Sequence, residues 1–152
     1  MTTDEVVKKA RSANCNPQKS MSHHQFVTRS DLVEIRDADG MGRGVFAATQ
    51  IPADTLLFSD PLMMIPEEQC PVGSLLDTIV FMWSVVMEDG LKQNALALGM
   101  GTVLNHSKLP NVIVYFEQNP DRLDFYALRD IEPGEQLTHD YNYDEYPAGW
   151  KA

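Results

Sequence analysis

Arg129-Asp130-Ile131-Glu132-Pro133-Gly134-Glu135-Gln136-Leu137-Thr138-His139-Asp140-Tyr141-Asn142-Tyr143, residues 129–143, joins a turn, a strand and a group of polar side chains. Pro133 and Gly134 take the central positions of a type II turn, because proline presets the first and glycine tolerates the positive φ of the second. Gln136-Leu137-Thr138 then leads out as a strand. Tyr141 and Tyr143, two residues apart beside Asp140, place two hydroxyls near one site. Taken alone, such tyrosines pack at a domain edge with their hydroxyls in water.

Two earlier segments bear on this one. Gly40-Met41-Gly42-Arg43-Gly44-Val45-Phe46-Ala47 alternates glycines, which allow close backbone approach or a positive φ. It lacks the spacing of a phosphate-binding loop and opens a strand instead of a helix, so by itself it reads as a tight turn. Gly99-Met100-Gly101-Thr102-Val103-Leu104-Asn105-His106-Ser107-Lys108-Leu109-Pro110-Asn111 sets an amide beside an imidazole, and its Ser, Pro and Asn demand an irregular turn.

Between these segments the texture is that of short strands. Leu32 to Arg36, Gly44 to Ala47, Thr55 to Ser59 and Pro61 to Ile65 read as four of them. Val112 to Phe116 and Asp124 to Leu128 read as a hairpin around Asn119-Pro120. Ser74 to Met87 reads as a buried helix, capped by Ser74 with Asp77 three residues on, and Leu91 to Leu98 as a further helical turn or two. Ile51-Pro52-Ala53-Asp54 echoes Ile131-Glu132-Pro133-Gly134, two turns each feeding a strand. The expected class is mainly β with one inserted helical segment, residues 66–98.

The order of the three segments is more specific than any one of them. A glycine turn opening a strand, then N-H-S-x-x-P-N, then a strand pair, then R-D-I-x-P-G-E-x-L-x-x-D-Y resembles the SET domain family over about Leu32 to Tyr143. The resemblance implies a β-clip-like fold of small sheets with a C-terminal pseudoknot, in which the last segment passes beneath a loop formed earlier. It implies S-adenosyl-L-methionine as methyl donor and a lysine on another protein as acceptor, a histone tail among the candidates. Gly42, Arg43 and Gly44 match the positions that line the cofactor site, and Asn105 and His106 match the pair that holds it. Tyr141 matches the catalytic tyrosine and also borders the cofactor. His139 and Tyr143 fall on the substrate channel.

The chemistry agrees with those roles. A lysine with an ordinary pKa of about 10.4 must lose its proton before it attacks, and an apolar channel lowers that value. The Tyr141 hydroxyl can orient the amine lone pair, and positioning supplies much of the acceleration. The chain departs from the family where His139 replaces the usual Phe or Tyr, and where Asp54 replaces a common Gly. Cysteine clusters flanking the domain are also missing, so no metal is expected and another element must close the channel, with Tyr146 and Trp150 as candidates. Two alternatives stay open: transfer to a nitrogen other than lysine, and an inactive SET-like interaction module.

Composition bounds the rest. A chain of 152 residues with 43% apolar and 22% charged residues suits one domain. Residues 1–25 read as a mobile polar arm, residues 26–145 as the domain and residues 146–152 as a short tail. The net charge is −10, split into +2 over residues 1–25 and −12 over the remainder. Such a body repels nucleic acid and attracts basic protein tails. The apolar run from Leu75 to Met87 is too short to span a membrane. No apolar signal core follows the first residues, and Cys15 and Cys70 lack partners at metal-binding spacing. The reading is of an intracellular protein.

Overall fold

The computed structural model describes residues 28–86, 90, 92–115 and 121–141. The proposed N-terminal arm, Tyr143, Tyr146, Trp150 and the tail lie outside the described residues. Nine strands run through the described chain: β1 (Val33–Ala38), β2 (Gly42–Ala47), β3 (Leu56–Pro66), β4 (Phe81–Val86), β5 (Lys92–Ala97), β6 (Asn105–His106), β7 (Val112–Tyr115), β8 (Arg122–Ala127) and β9 (Gln136–His139). They form a four-stranded sheet in the order β1-β2-β9-β6 and a five-stranded sheet in the order β4-β5-β3-β8-β7. All pairings are antiparallel except β6 with β9.

Strand alternation builds the core. Leu123, Phe125 and Ala127 of β8 are buried at every second position, and so are Leu137 and His139 of β9. They pack with Val45, Ile51, Leu57, Phe58, Leu104, Val112 and Ile131, all at most 2% exposed. Phe58 and Phe125 meet with ring centroids 4.6 Å apart. The echoed turns lie side by side. Ile51 and Ile131 exchange two backbone hydrogen bonds of 2.9 Å, and Asp54 and Gly134 both take positive φ, 61° and 83°.

The inserted region departs from expectation. No α-helix occupies residues 74–86, the described part of the expected helix. Ser74 and Asp77 do bond, the Asp77 N–H donating to Ser74 Oγ at 3.2 Å, but the Asp77 carboxylate accepts the Gly73 N–H at 2.7 Å in place of that of Ser74, and the N-cap is Leu75. It heads one 3-10 turn, Leu76–Thr78, after which the chain straightens into β4. Ile79, Val80, Phe81, Trp83, Val85 and Val86 are β-branched or aromatic and favour a pleated strand. A short apolar run shows no period that separates a buried helix from a strand, and tertiary pairing decides it. The stretch expected to add helical turns is β5, bonded to β4 and β3.

The third and fourth expected strands are one. β3 pairs with β8 over Leu56–Pro61 and with β5 over Leu62–Pro66. Pro61 sits where the strand changes partner, a place where a residue without an N–H is tolerated. A small second core of Ile65, Cys70 and Val80 fastens the inserted region to the end of β3.

Candidate active site

The parallel pairing of β6 with β9 places Asn105 opposite Thr138 and His106 opposite His139. Segments about thirty residues apart thus become neighbours. Asn111 holds them together from the turn between β6 and β7. Its Nδ2 donates to the Gln136 carbonyl at 2.8 Å and to Glu135 Oε1 at 3.1 Å, while its Oδ1 accepts the Thr138 N–H at 2.8 Å. Asn111 is 2% exposed, and these bonds satisfy its buried amide. Glu135 also receives the Arg129 guanidinium and the Glu132 N–H. Arg129 above all holds its carboxyl down at about 2.

The glycine turn joins from the other side. Asn105 Nδ2 donates to the Arg43 carbonyl at 3.1 Å. A Cβ on Gly44 would lie 2.6 Å from Gln136 Nε2 and 3.0 Å from Asn105 Nδ2, so a larger residue would push aside the two amides that converge there. Gly42 takes a φ of 75° and has open space where a Cβ would stand. Arg43 is exposed and Gly44 buried.

Two histidines and a tyrosine complete the cluster. The Tyr141 ring lies 4.7 Å from the His139 ring and 5.3 Å from the His106 ring. Its hydroxyl donates to the Leu104 carbonyl at 2.6 Å, and its backbone N–H donates to His106 Nδ1 at 3.2 Å. With Nδ1 accepting, the neutral imidazole of His106 carries its proton on Nε2. Asp140 Oδ1 lies 3.7 Å from His106 Nδ1 and 4.0 Å from Lys108 Nζ. Burial lowers the pKa of His106 despite Asp140. Burial pushes His139 further, to about 4, with the nearby His106 charge adding to it. Both rings are therefore neutral near physiological pH.

Phe81, the first residue of β4, stacks on His139 with centroids 5.2 Å apart and planes 20° apart, and meets Phe125 edge-on at 5.9 Å. Among the described residues, Phe81 thus ties the inserted region to the site. Among the described residues no group of three or more His, Cys, Asp or Glu could hold a metal ion.

Of the residues singled out in the sequence, Gly42, Arg43, Gly44, Asn105, His106, His139 and Tyr141 form this one cluster, while Tyr143 lies outside the described residues. The sequence reading gave no role to Phe81, Asn111, Gln136 or the Leu104 carbonyl. Asn111 had a signal, since a buried asparagine after proline in an irregular loop commonly bonds backbone. Phe81 was hidden within the stretch read as helix.

The family model described as SET domain matches residues 42–142. Over 118 residues the chain is 36% identical to the histone-lysine N-methyltransferase, H3 lysine-37 specific, of Schizosaccharomyces pombe, covering 76% of each chain. A crystal structure of a candidate histone methyltransferase from Plasmodium falciparum is similar with a TM-score of 0.57 and 21% identity. That match covers 74% of this chain and 95% of the other. At such identity the likeness speaks for the fold alone.

Proposed function

The chain belongs to the SET domain family, and we propose that it is an S-adenosyl-L-methionine-dependent protein-lysine N-methyltransferase acting on a basic protein such as a histone. The observation that carries this reading is the convergence of the glycine turn, Asn105-His106 and Tyr141 through the β6–β9 pairing. The same parallel pairing supports the family's C-terminal pseudoknot as part of the proposal.

The cofactor fits the residues present. The open, exposed backbone at Gly42 is accessible, and the bare Cα of Gly44 lets the Asn105 and Gln136 amides approach it. Asn105 offers an amide, and the buried Nε2 of Gln136 has no hydrogen-bond acceptor among the described residues. Arg43 and the glycine turn would hold the carboxylate end, with Asn105 and the His106 backbone holding the remainder. When bound, S-adenosyl-L-methionine supplies an electrophilic methyl group to a neutral amine.

The chain's own residues prepare that amine. The Tyr141 hydroxyl proton is committed to the Leu104 carbonyl, so its oxygen lone pairs are left to orient an incoming N–H group. Neutral His139 and Phe81 form an acceptor-side wall that disfavours an ammonium ion. Removal of water strengthens each of these contacts. The net charge of −10 favours the approach of a lysine-rich tail.

Incubation with labelled S-adenosyl-L-methionine and recombinant core histones tests the reading. Label on histone lysine, found by mass spectrometry, is the expected result. Cofactor binding without transfer to any protein acceptor would favour an interaction module instead.

A further inference from the structure

Asp60 carries no role in the site described above, yet it is a carboxylate buried to 2% exposure in the middle of β3. It faces the 3-10 turn Met100–Val103, which delivers the chain into Leu104, Asn105 and His106. Its Oδ2 accepts the Gly101 N–H at 2.5 Å. Burial raises its pKa, and the N–H groups of Gly101 and Met100 counter that rise only in part. Accepting two N–H donors favours the charged form.

The bonds continue beyond the turn. The Gly101 carbonyl accepts the Leu104 N–H at 3.3 Å, and the Leu104 carbonyl accepts the Tyr141 hydroxyl at 2.6 Å. A buried carboxyl group thus stands at one end of a series of hydrogen-bonded anchors and the tyrosine hydroxyl at the other. The links at Gly101 and at Leu104 each cross a Cα between separate peptide groups, so the coupling is positional: Asp60 fixes the turn, and the turn fixes the Leu104 carbonyl. The turn is built to allow this approach. A Cβ on Gly101 would meet Phe125 Cζ at 2.3 Å and Asp60 Oδ2 at 2.8 Å.

We propose that Asp60 is a positioning residue for Tyr141, acting through Gly101 and Leu104 to hold the hydroxyl proton on the Leu104 carbonyl and so to present the oxygen lone pairs to the acceptor amine. The proposal rests on the methyltransferase reading for its catalytic consequence. The hydrogen-bond relay itself is independent of that reading.

Asp60→Asn keeps an oxygen that can accept the Gly101 N–H but removes the charge. In this variant kcat on histone H3 falls about tenfold, the worth of one charge-assisted hydrogen bond, while the Kd for S-adenosylhomocysteine stays within about twofold. The Cζ resonance of 13C-labelled Tyr141, assigned by its loss in Tyr141→Phe, moves as well. Wild-type kcat with an unmoved resonance would overturn the proposal, and so would equal losses of kcat and cofactor affinity, which mark a cap serving only the cofactor turn. Should the variant not fold, the unmodified protein gives the same test. On acidification the Tyr141 Cζ shift follows the midpoint of the Asp60 carboxyl carbon, apart from the steps of neighbouring His106, His139 and Asp140. A Tyr141 signal with no step at the Asp60 midpoint overturns the relay. If the wild-type protein methylates no histone, the functional reading fails, while the two resonance measurements still decide the relay.

Discussion

Tyr141 and Leu104 are joined by a 2.6 Å hydrogen bond from the phenol hydroxyl to a backbone carbonyl. The bond ties the segment after β9 to the residue before β6, so the hydroxyl is fixed by two strands that already pair. Tyr141→Phe keeps the ring contacts with His106 and His139 and removes only this hydroxyl. Its expected effect is a fall in kcat of about a hundredfold or more with cofactor affinity kept, the scale seen when one preorganised polar group facing the transition state is removed. Single-turnover methyl transfer beside calorimetric cofactor binding measures both.

His139 makes stability depend on pH. Its folded value is about 4 against an ordinary 6.5, with burial the main cause. Between those values the unfolded chain binds a proton that the folded chain does not, so stability rises with pH. Stability contributed by keeping this ring neutral is complete above about pH 6.5 and is lost as pH falls towards 4, by about 3 kcal/mol in all. Urea unfolding across this window is expected to show that slope, and His139→Phe is expected to flatten it.

Asn111 binds three backbone or side-chain groups of the 135–138 segment while almost fully buried. Asn111→Ala leaves the Thr138 N–H and the Gln136 carbonyl without these bonds. Destabilisation of about 3 kcal/mol is expected, the cost of orphaning buried polar groups. Denaturant midpoints give the size. Because Asn111 fastens the strand that carries His139, labelled transfer should fall with it.

Asp54 holds a φ of 61° in a turn that mirrors the one at Gly134. Aspartate tolerates the left-handed region better than most residues, but glycine occupies it without Cβ strain. Asp54→Gly is therefore expected to stabilise the fold by about 0.5–1 kcal/mol, seen as a higher thermal midpoint. An unchanged or lower midpoint would show that the aspartate side chain contributes more than its backbone costs.

The β framework was legible because its strands alternate and its turns carry residues of specific conformational use. The strand read at Gln136 to Thr138 forms and extends to His139, and Gly134 takes the φ that a type II turn demands. The clustering of Asn105, His106 and Tyr141 was legible only through motif resemblance, because a parallel pairing of two-residue and four-residue strands leaves no local period. The inserted region failed for a related reason. The Ser74–Asp77 pair announces a helix start, and only the long-range partner β5 turns the following residues into a strand. Asp60 left one overlooked signal, a lone carboxylate within the apolar run Leu56 to Met64.

The most direct test of the central claim is transfer of a labelled methyl group from S-adenosyl-L-methionine to recombinant histone H3, comparing the wild-type protein with Tyr141→Phe. Lysine-bound label with the wild-type protein and near-background label with the variant is the predicted result. Equal transfer by both would contradict the assignment of Tyr141, and no cofactor binding by the folded wild-type protein would contradict the methyltransferase reading itself.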